Sequence, residues 1–306
     1  DPDFISSVQI EKGPSMGADA TGATGGVVRM TTLSVKDVLL PGKQYGIRLK
    51  GGFNTNSSSA PSAVTLAGMT GAGQYWYAEE IPTSFGASDG MNRPSFLNPT
   101  GGSGSVAVAG TSEFIDVVAA YARRKNGNYH AGKNGDDAAH PEFSPLGATG
   151  SVVTNGGLTP YRAGEEVLNT SLDNESWLLK GTVKFDEGHT LELGYSRYSS
   201  NYGHILGSQA NGIFNSSYQG ELSSIDLDTY TARYKWKPED NDFIDLKVDT
   251  FLSRVDNRIN ATFNSSGTLY PTYAWAGSDR WGITASNTSR FNTEYGDLNF
   301  TYGGAF

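Results

Sequence analysis

Four histidines are the side chains of this chain best suited to hold a metal ion, because a neutral imidazole is the commonest metal ligand in proteins. They are His130, His140, His189 and His204, and no cysteine is present to supply a thiolate ligand. His189 lies in a short turn between two strand-like segments, whereas the others lie in or beside long polar stretches. His130 and His204 are our preferred ligand-binding candidates. The competing interpretation is that each is a solvated loop residue, and the metal-ligand set stays unknown at this stage.

An aromatic cluster in the first long polar stretch is a second candidate ligand site. Tyr75, Trp76 and Tyr77 are consecutive there, and tyrosine and tryptophan are enriched at binding interfaces. The same rings could instead form a small core that packs the loop onto its surroundings. The aromatic residues at 270–275 carry the same two interpretations.

No arrangement of residues indicates catalysis. The acidic neighbours at 136–137 and at 165–166 are expected to be solvated charges in glycine-rich loops. No nucleophile motif, P-loop or dinucleotide-binding fingerprint occurs. We therefore predict that the protein is not an enzyme and assign no catalytic residue. A formal net charge of −9 also argues against nucleic acid as a partner, because a phosphate-binding surface needs an excess of lysine and arginine.

The elements that must position the candidate residues are predicted to be long β-strands. Apolar and polar residues alternate over 45–53, 177–185, 230–237 and 243–252, which places the two kinds of side chain on opposite faces of a strand. Glycine (39 of 306 residues) and aromatic residues (11%) are abundant, as is typical of an all-β protein and not of a disordered chain. No apolar run is long enough for a transmembrane helix, but a membrane-spanning strand needs only about 9–11 residues.

The connections between the predicted strands alternate between short and long. Tight turns are expected at 186–189, 238–242 and about 110–112, and long polar stretches at about 54–104, 125–174, 199–226 and 257–289. Short turns at one end and long loops at the other are typical of a bacterial outer-membrane β-barrel. We count about eight strands, whose apolar face would contact outer-membrane lipid and whose charged face would line a lumen. A small passive barrel or adhesin and a soluble carbohydrate-binding β-sandwich are the competing interpretations.

The charged face should carry ion pairs between strands. Asp245 and Asp249 lie on one face of a predicted strand, and opposite charges on neighbouring strands lie within reach of each other. We expect these carboxylates to pair with Lys180, Arg233 or Lys235.

Residues 5–53 resemble a known family. The run Val8-Gln9-Ile10-Glu11-Lys12-Gly13-Pro14-Ser15, followed by Gly22-Ala23-Thr24-Gly25-Gly26-Val27-Val28, is similar to the end of the plug domain in TonB-dependent outer-membrane receptors. In that family a strand runs into a KGP turn, here Lys12, Gly13 and Pro14, and small residues then lead to a GG pair, here Gly25 and Gly26. The resemblance implies an all-β fold, a 22-stranded transmembrane antiparallel β-barrel with an N-terminal plug. Residues 1–40 would be the C-terminal part of the plug and residues 41–306 the first strands of the barrel, as a piece of a longer chain.

Two further segments resemble a subgroup of that family. Residues 44–57 and 119–133 look like those of heme-uptake receptors, particularly receptors that take heme from a secreted hemophore. The resemblance implies active transport across the outer membrane of a Gram-negative bacterium, driven by an inner-membrane TonB complex that pulls on the plug. Heme is the first expected ligand and a ferric siderophore the second, with no intrinsic cofactor. Heme iron is commonly held by imidazole. The family's heme-binding loops and its FRAP and NPDL motifs are expected outside residues 1–306.

Overall fold

The structure is a computed structural model in which most of the chain is described. The described residues are 1–14, 23–67, 88–132, 142–145, 151–154, 161, 163–204, 218–260, 263–265, 268–270 and 272–306. The aromatic cluster predicted at Tyr75, Trp76 and Tyr77 lies outside these residues, as does His140.

Short 3-10 helices and many β-strands make up the described part of the chain. The strands are β1 (Ile5–Lys12), β2 (Gly26–Thr32), β3 (Tyr45–Asn54), β4 (Ser57–Ser58), β5 (Gly101–Thr111), β6 (Ile115–Asn126), β7 (Asn128–Tyr129), β8 (Glu142–Pro145), β9 (Ser151–Thr154), β10 (Leu172–Lys184), β11 (His189–Tyr202), β12 (Ser223–Trp236), β13 (Leu246–Asn260), β14 (Phe263–Ser265), β15 (Thr268–Tyr270), β16 (Tyr273–Thr293) and β17 (Gly296–Ala305). The 3-10 helices span Pro2–Phe4, Val35–Asp37, Ser88–Met91 and Asp186–Gly188. Within the described ranges, no helix is both long and apolar enough to cross a lipid bilayer.

Nine strands form one antiparallel sheet, in the order β3-β5-β6-β10-β11-β12-β13-β16-β17. Each of them has ten or more residues, which is enough for a tilted strand to cross a bilayer. Every strand pairs with the strands before and after it in this order, which is the up-and-down arrangement of transmembrane barrels. The sheet is open, with β3 and β17 at its edges. The predicted all-β, barrel-type fold is therefore confirmed.

The sheet has one strand more than the eight or so that the sequence predicts. The additional strand is β16, whose 21 residues occupy much of the stretch 257–289 that was expected to be a loop. Small polar residues separate its apolar positions, so the alternation is weak. Pairing with β13 from Asn260↔Tyr273 to Leu246↔Asn287 holds β16 in the sheet instead.

The alternation of short and long connections is confirmed. Among the nine strands of the sheet, the short connections are 112–114, 185–188, 237–245 and 294–295, and the long ones are 55–100, 127–171, 203–222 and 261–272. Because successive strands are antiparallel, all short connections lie at one end of the sheet and all long ones at the other. We name these the turn end and the loop end.

The two faces of the sheet differ in their chemistry. The outer face carries exposed apolar side chains, among them Ile47, Leu49, Leu179, Leu193, Trp281 and Phe300. Two aromatic pairs lie on this face: His189 and Trp236 at the turn end, with ring centroids 5.1 Å apart, and Tyr121 and Trp177 near the middle of their strands, with ring centroids 4.5 Å apart. A soluble sandwich buries its apolar sheet face, whereas an exposed apolar band with aromatic borders is what a barrel wall presents to lipid.

The N-terminal segment packs on the opposite, inner face of the sheet. β1 and β2 form a separate two-stranded antiparallel sheet. Phe4, Leu33 and Val38 from the segment are buried against Ala107, Ala109, Val118, Ala120, Ala122 and Leu178 of β5, β6 and β10. The alanines leave room on the wall for the larger side chains of the segment, so a compact apolar contact joins the two parts.

Candidate functional site

The described residues of the predicted plug motif lie at the paired ends of the antiparallel strands β1 and β2. Lys12 of β1 lies opposite Gly26 of β2, and the amide of Gly13 donates a hydrogen bond to the carbonyl oxygen of Gly25 at 3.4 Å. Gly13 and Gly26 have φ angles of 92° and 134°, a region that residues with a Cβ rarely adopt. A Cβ on Gly26 would also collide with the carbonyl oxygen of Glu11. The backbone geometry at the paired strand ends therefore favours glycine at these two motif positions.

Charged side chains tie the N-terminal segment to the inner face. Lys180 Nζ donates a hydrogen bond to the carbonyl oxygen of Leu33 at 3.2 Å, and only 9% of the Lys180 side chain is exposed. Lys50 Nζ lies 3.1 Å from Asp3 Oδ1. The apolar contact is thus flanked by polar contacts that fix the position of the segment.

Lys180 is also the first residue of a row of alternating charges across four strands of the inner face. Lys180 Nζ lies 3.7 Å from a carboxylate oxygen of Glu192, and Arg233 bridges Glu192 and Asp249 at 3.2 Å each. The expected pairing of Asp249 with Arg233 is therefore confirmed. The row connects the contact with Leu33 to β13.

The expected partners of Asp245 are wrong. Its carboxylate pairs with Arg290 of β16 at 3.2 Å rather than with Lys180, Arg233 or Lys235. The reason is that β16 was not recognised as a strand, although it lies next to β13 and brings Arg290 to the turn end of the inner face.

Buried amide and carboxylate side chains join the connections at the loop end. Asn128 Nδ2 donates hydrogen bonds to Glu166 Oε1 at 2.8 Å and to Gln219 Oε1 at 2.9 Å. Gln219 Nε2 donates to Asn169 Oδ1 at 3.1 Å. We call these four buried residues the loop node. They join the connection 127–171 to the connection 203–222.

Backbone hydrogen bonds bring the connection 55–100 to the same place. The amide of Val64 donates a hydrogen bond to the carbonyl oxygen of Gln219 at 2.8 Å. The amide of Gln219 donates a hydrogen bond to the carbonyl oxygen of Thr65 at 2.7 Å. The amide of Glu166 donates to the carbonyl oxygen of Gly90 at 2.8 Å. Three of the four long connections therefore meet at the loop node.

His130 lies beside the loop node and is only 3% exposed, so the solvated-loop interpretation is wrong for this residue. Its Nε2 lies 2.7 Å from Ser58 Oγ and its Nδ1 lies 2.9 Å from the carbonyl oxygen of Gly164. Because a carbonyl oxygen can only accept, Nδ1 carries a proton and donates to Gly164. The loops fold over the ring and use both of its nitrogens. Ligand contact through His130 stays a prediction and would require Nε2 to exchange its serine partner.

The acidic pair Glu165-Glu166 is buried, contrary to the expectation of solvated charges. Two contacts from the surrounding loops enclose the acidic pair. Glu166 accepts a hydrogen bond from Asn128, and Glu165 lies beside Gly90. Burial raises the pKa of the Glu166 carboxyl above its usual range, and the neighbouring Glu165 adds to this, while the Asn128 hydrogen bond and His130 oppose it.

The other two histidines among the described residues lie at opposite ends of the sheet. His204 is exposed at the loop end, two residues beyond the end of β11, and its role as a ligand contact stays a prediction. His189 lies at the turn end, as expected, with Nδ1 2.7 Å from the Tyr234 hydroxyl and its ring stacked on Trp236. In the described residues, no group of three or more histidine, aspartate or glutamate side chains could hold a metal ion.

An aromatic patch lies on β16 at the loop end. The ring centroids of Tyr273 and Trp275 are 5.8 Å apart, and the Arg258 guanidinium carbon lies 4.5 Å from the Tyr273 ring centroid. Trp275 is 72% exposed, so this part of the predicted 270–275 group presents an open aromatic surface and does not form a packed core.

The fold and these contacts define a class of protein: the wall of an up-and-down transmembrane β-barrel with a plug-type segment docked on its inner face. No family model matches the chain. It is 29% identical over 327 residues to the hemophilin receptor of Acinetobacter baumannii, which covers 100% of this chain and 30% of that protein. It is 32% identical over 69 residues to the heme transporter BhuA of Brucella abortus, which covers 22% of this chain and 10% of the relative.

Solved structures give the same fold. The hemophore receptor HasR of Serratia marcescens, solved with its hemophore HasA and heme, matches 99% of this chain and 32% of its own with a TM-score of 0.60 and 17% identity. The FrpB iron transporter of Neisseria meningitidis matches 99% of this chain and 37% of its own with a TM-score of 0.59 and 17% identity.

These comparisons confirm the resemblance of the chain to a part of a heme- or hemophore-type TonB-dependent receptor. The chain spans about a third of the length of the hemophilin receptor and of these structures. The relatives are receptors and transporters, so the expectation that the chain is not an enzyme is confirmed as well.

Proposed function

We propose that the protein containing this chain takes up heme across the outer membrane of a Gram-negative bacterium by TonB-dependent active transport. The observation that carries the proposal is the similarity of the whole chain to the hemophilin receptor of Acinetobacter baumannii. The docked plug-type segment supports it, because a barrel with an occluded lumen transports only if the segment moves. Contacts at Lys180 and Lys50 hold the segment on the wall and would have to be released.

The division of the chain follows from this proposal. Residues 1–40 are the C-terminal part of the plug and residues 41–306 the N-terminal part of the barrel. The boundary falls between Val38, which is buried with the segment against the wall, and Tyr45, the first residue of β3. The outer face contacts outer-membrane lipid, and an inner-membrane TonB complex supplies the pulling force.

Heme binds at the loop end in this proposal, with a hemophore as the possible donor. His204 is the stronger candidate contact because it is exposed, whereas both ring nitrogens of His130 have partners. The sequence cluster Tyr75, Trp76 and Tyr77 belongs to the same long connection as Thr65 and Gly90 and is the proposed aromatic contact. The loop node would hold three long connections in one arrangement before the ligand arrives, which lowers the ordering cost of binding.

A heme titration of the full receptor in detergent, followed in the Soret region, tests the ligand. A saturable, shifted Soret band is expected, and His204→Ala should weaken it. His189→Ala is the matched control, since His189 lies at the turn end. Absence of any saturable band would reject heme and make a ferric siderophore the ligand to test next.

A further inference from the structure

Two lysines face each other on the inner surface of the sheet near the turn end. Lys235 of β12 lies directly opposite Lys247 of β13, on the face that also carries Arg233 and Asp249. Like charges directly opposite on neighbouring strands are destabilising. Both side chains are exposed on this face. Such an arrangement costs free energy in the absence of an anion.

The two carboxylates that flank Lys247 on the same face, at positions 245 and 249, already have partners. Asp249 of β13 is paired with Arg233, and Asp245, one residue before β13, is paired with Arg290, each at 3.2 Å. Within the described residues, the ammonium group of neither Lys235 nor Lys247 has an ion-pair or hydrogen-bond partner. The positive charge of the pair is therefore not neutralised by the wall.

The residues on either side of the pair are hydroxyl-bearing. Thr190 of β11 lies opposite Lys235, and Ser286 of β16 lies opposite Lys247. The row Thr190, Lys235, Lys247, Ser286 thus presents two ammonium groups flanked by two hydroxyl groups and no carboxylate. Ammonium and hydroxyl hydrogens are the donors that a carboxylate accepts.

We propose that this row binds the carboxylates of an anionic porphyrin as the porphyrin leaves the lumen at the turn end. This inference rests on the proposed function. Heme carries two carboxylate groups, and two adjacent lysines can engage them without disturbing the ion pairs of Asp245 and Asp249. The position near the turn end places the site after the plug-type segment, so it acts on release of the ligand and not on its capture at the loop end.

Uptake by the full receptor tests the site. The variant Lys235→Gln/Lys247→Gln should slow initial heme uptake by about tenfold or more, because it removes both charged hydrogen bonds to the heme carboxylates, with heme affinity at the loops unchanged. Heme dimethyl ester, which lacks the carboxylate charges, should be taken up by the variant and the original protein at the same rate. Lys125→Gln is the matched control, because Lys125 lies on the outer face and pairs with Asp173. Equal slowing of heme and its ester, or no slowing of either, would overturn the site.

A second measurement separates this inference from the proposed function. Reductive methylation of the detergent-solubilised receptor, quantified by mass spectrometry, should be slowed by heme at Lys235 and Lys247 and not at Lys125, and the ester should give no protection. Protection of the two lysines by heme without heme uptake would support the lysine site and reject the proposal that the receptor transports heme. Heme uptake, or heme binding at the loops, without protection of the lysines would reject the lysine site and leave the proposed transport in place.

Discussion

Lys180 Nζ donates a hydrogen bond to the carbonyl oxygen of Leu33, with 3.2 Å between the two atoms. This bond joins the middle of β10 to the segment that leaves β2, across 147 positions of sequence. The lysine side chain is almost fully enclosed, and its other contact is Glu192. The plug-type segment is therefore held by a buried charge and not only by apolar packing.

Removal of that charge should loosen the segment. In Lys180→Met the Leu33 carbonyl loses its donor while Glu192 keeps Arg233, so the contact should weaken by about 1–3 kcal/mol. Hydrogen exchange at the amides of Leu33 and Leu39, which donate to Phe4 and Val35, should become roughly 5- to 100-fold faster.

Lys184→Met is the matched control for this change. Lys184 lies on the same face of β10 but pairs with Asp116 at the turn end, 2.7 Å away. Equal acceleration in both variants would mean that the loss of any inner-face lysine loosens the segment, and would contradict the specific role of Lys180.

Substitution of the two neighbouring glycines of the plug motif, Gly25 and Gly26, should have different effects on stability. Gly26→Ala places a Cβ against the Glu11 carbonyl at a positive φ, so it should destabilise the β1–β2 pair by more than about 1 kcal/mol. Gly25→Ala meets open space and should change stability by less than about 0.5 kcal/mol. Limited proteolysis of the folded receptor between β1 and β2 measures the difference, and similar cleavage rates in the two variants would be inconsistent with the described backbone at Gly25 and Gly26.

The hydrogen bonds of the loop node predict that a substitution in one connection also lowers the stability of another connection. Asn128→Ala leaves Glu166 without its amide donor and removes one donor from Gln219, which should cost about 1–3 kcal/mol. Faster hydrogen exchange is expected at the amide of Gln219, in the connection 203–222, as well as near the mutation. Asn201→Ala, at an exposed strand position, should change neither. Effects confined to residues 127–171 would argue that the three connections are not coupled.

The stability of the loops should depend on pH through Glu166. Because burial raises the folded-state pKa of this carboxyl, its stabilising contribution is fully present below the unfolded-state pKa and is lost as the pH rises through the raised folded-state value. Protection of the Val167 amide, corrected for the intrinsic exchange rate, should therefore fall as the pH rises above about 4.5. In Glu166→Gln the fall should be absent, while Glu113→Gln in the β5–β6 turn should keep it. An unchanged slope in Glu166→Gln would remove Glu166 as the cause.

The sequence predicts those parts of the molecule whose physical causes are local. Alternation along a strand marks its two faces without reference to any partner, so β3, β10, β12 and β13 are found where the pattern is clean. Gly13 is recognisable because the motif needs its backbone freedom beside Pro14, and Gly26 because close backbone packing leaves no room for a Cβ. The strand β16 is not predicted, because its apolar and polar residues alternate only weakly and its position in the sheet depends on pairing with β13.

The loop node and the contact of Lys180 could not be predicted in the same way. Asn128, Asn169 and Gln219 are far apart in sequence, and nothing periodic links them before the loops fold. The left-handed backbone of Asn169, with φ 60°, is a conformation that asparagine tolerates better than most residues, but the sequence does not show which asparagine adopts it. The sequence indicates that Lys180 faces inwards and cannot show that its partner is a carbonyl oxygen in the N-terminal segment.

Heme-dependent growth tests the central claim most directly. Iron-limited cells in which the full receptor is the sole outer-membrane route for heme should grow on heme when the TonB complex is present and stop when it is removed. The siderophore-independent supply of iron must be the same in both strains. Growth on heme that continues without TonB, or no growth on heme in either strain, would contradict active uptake of heme by this protein.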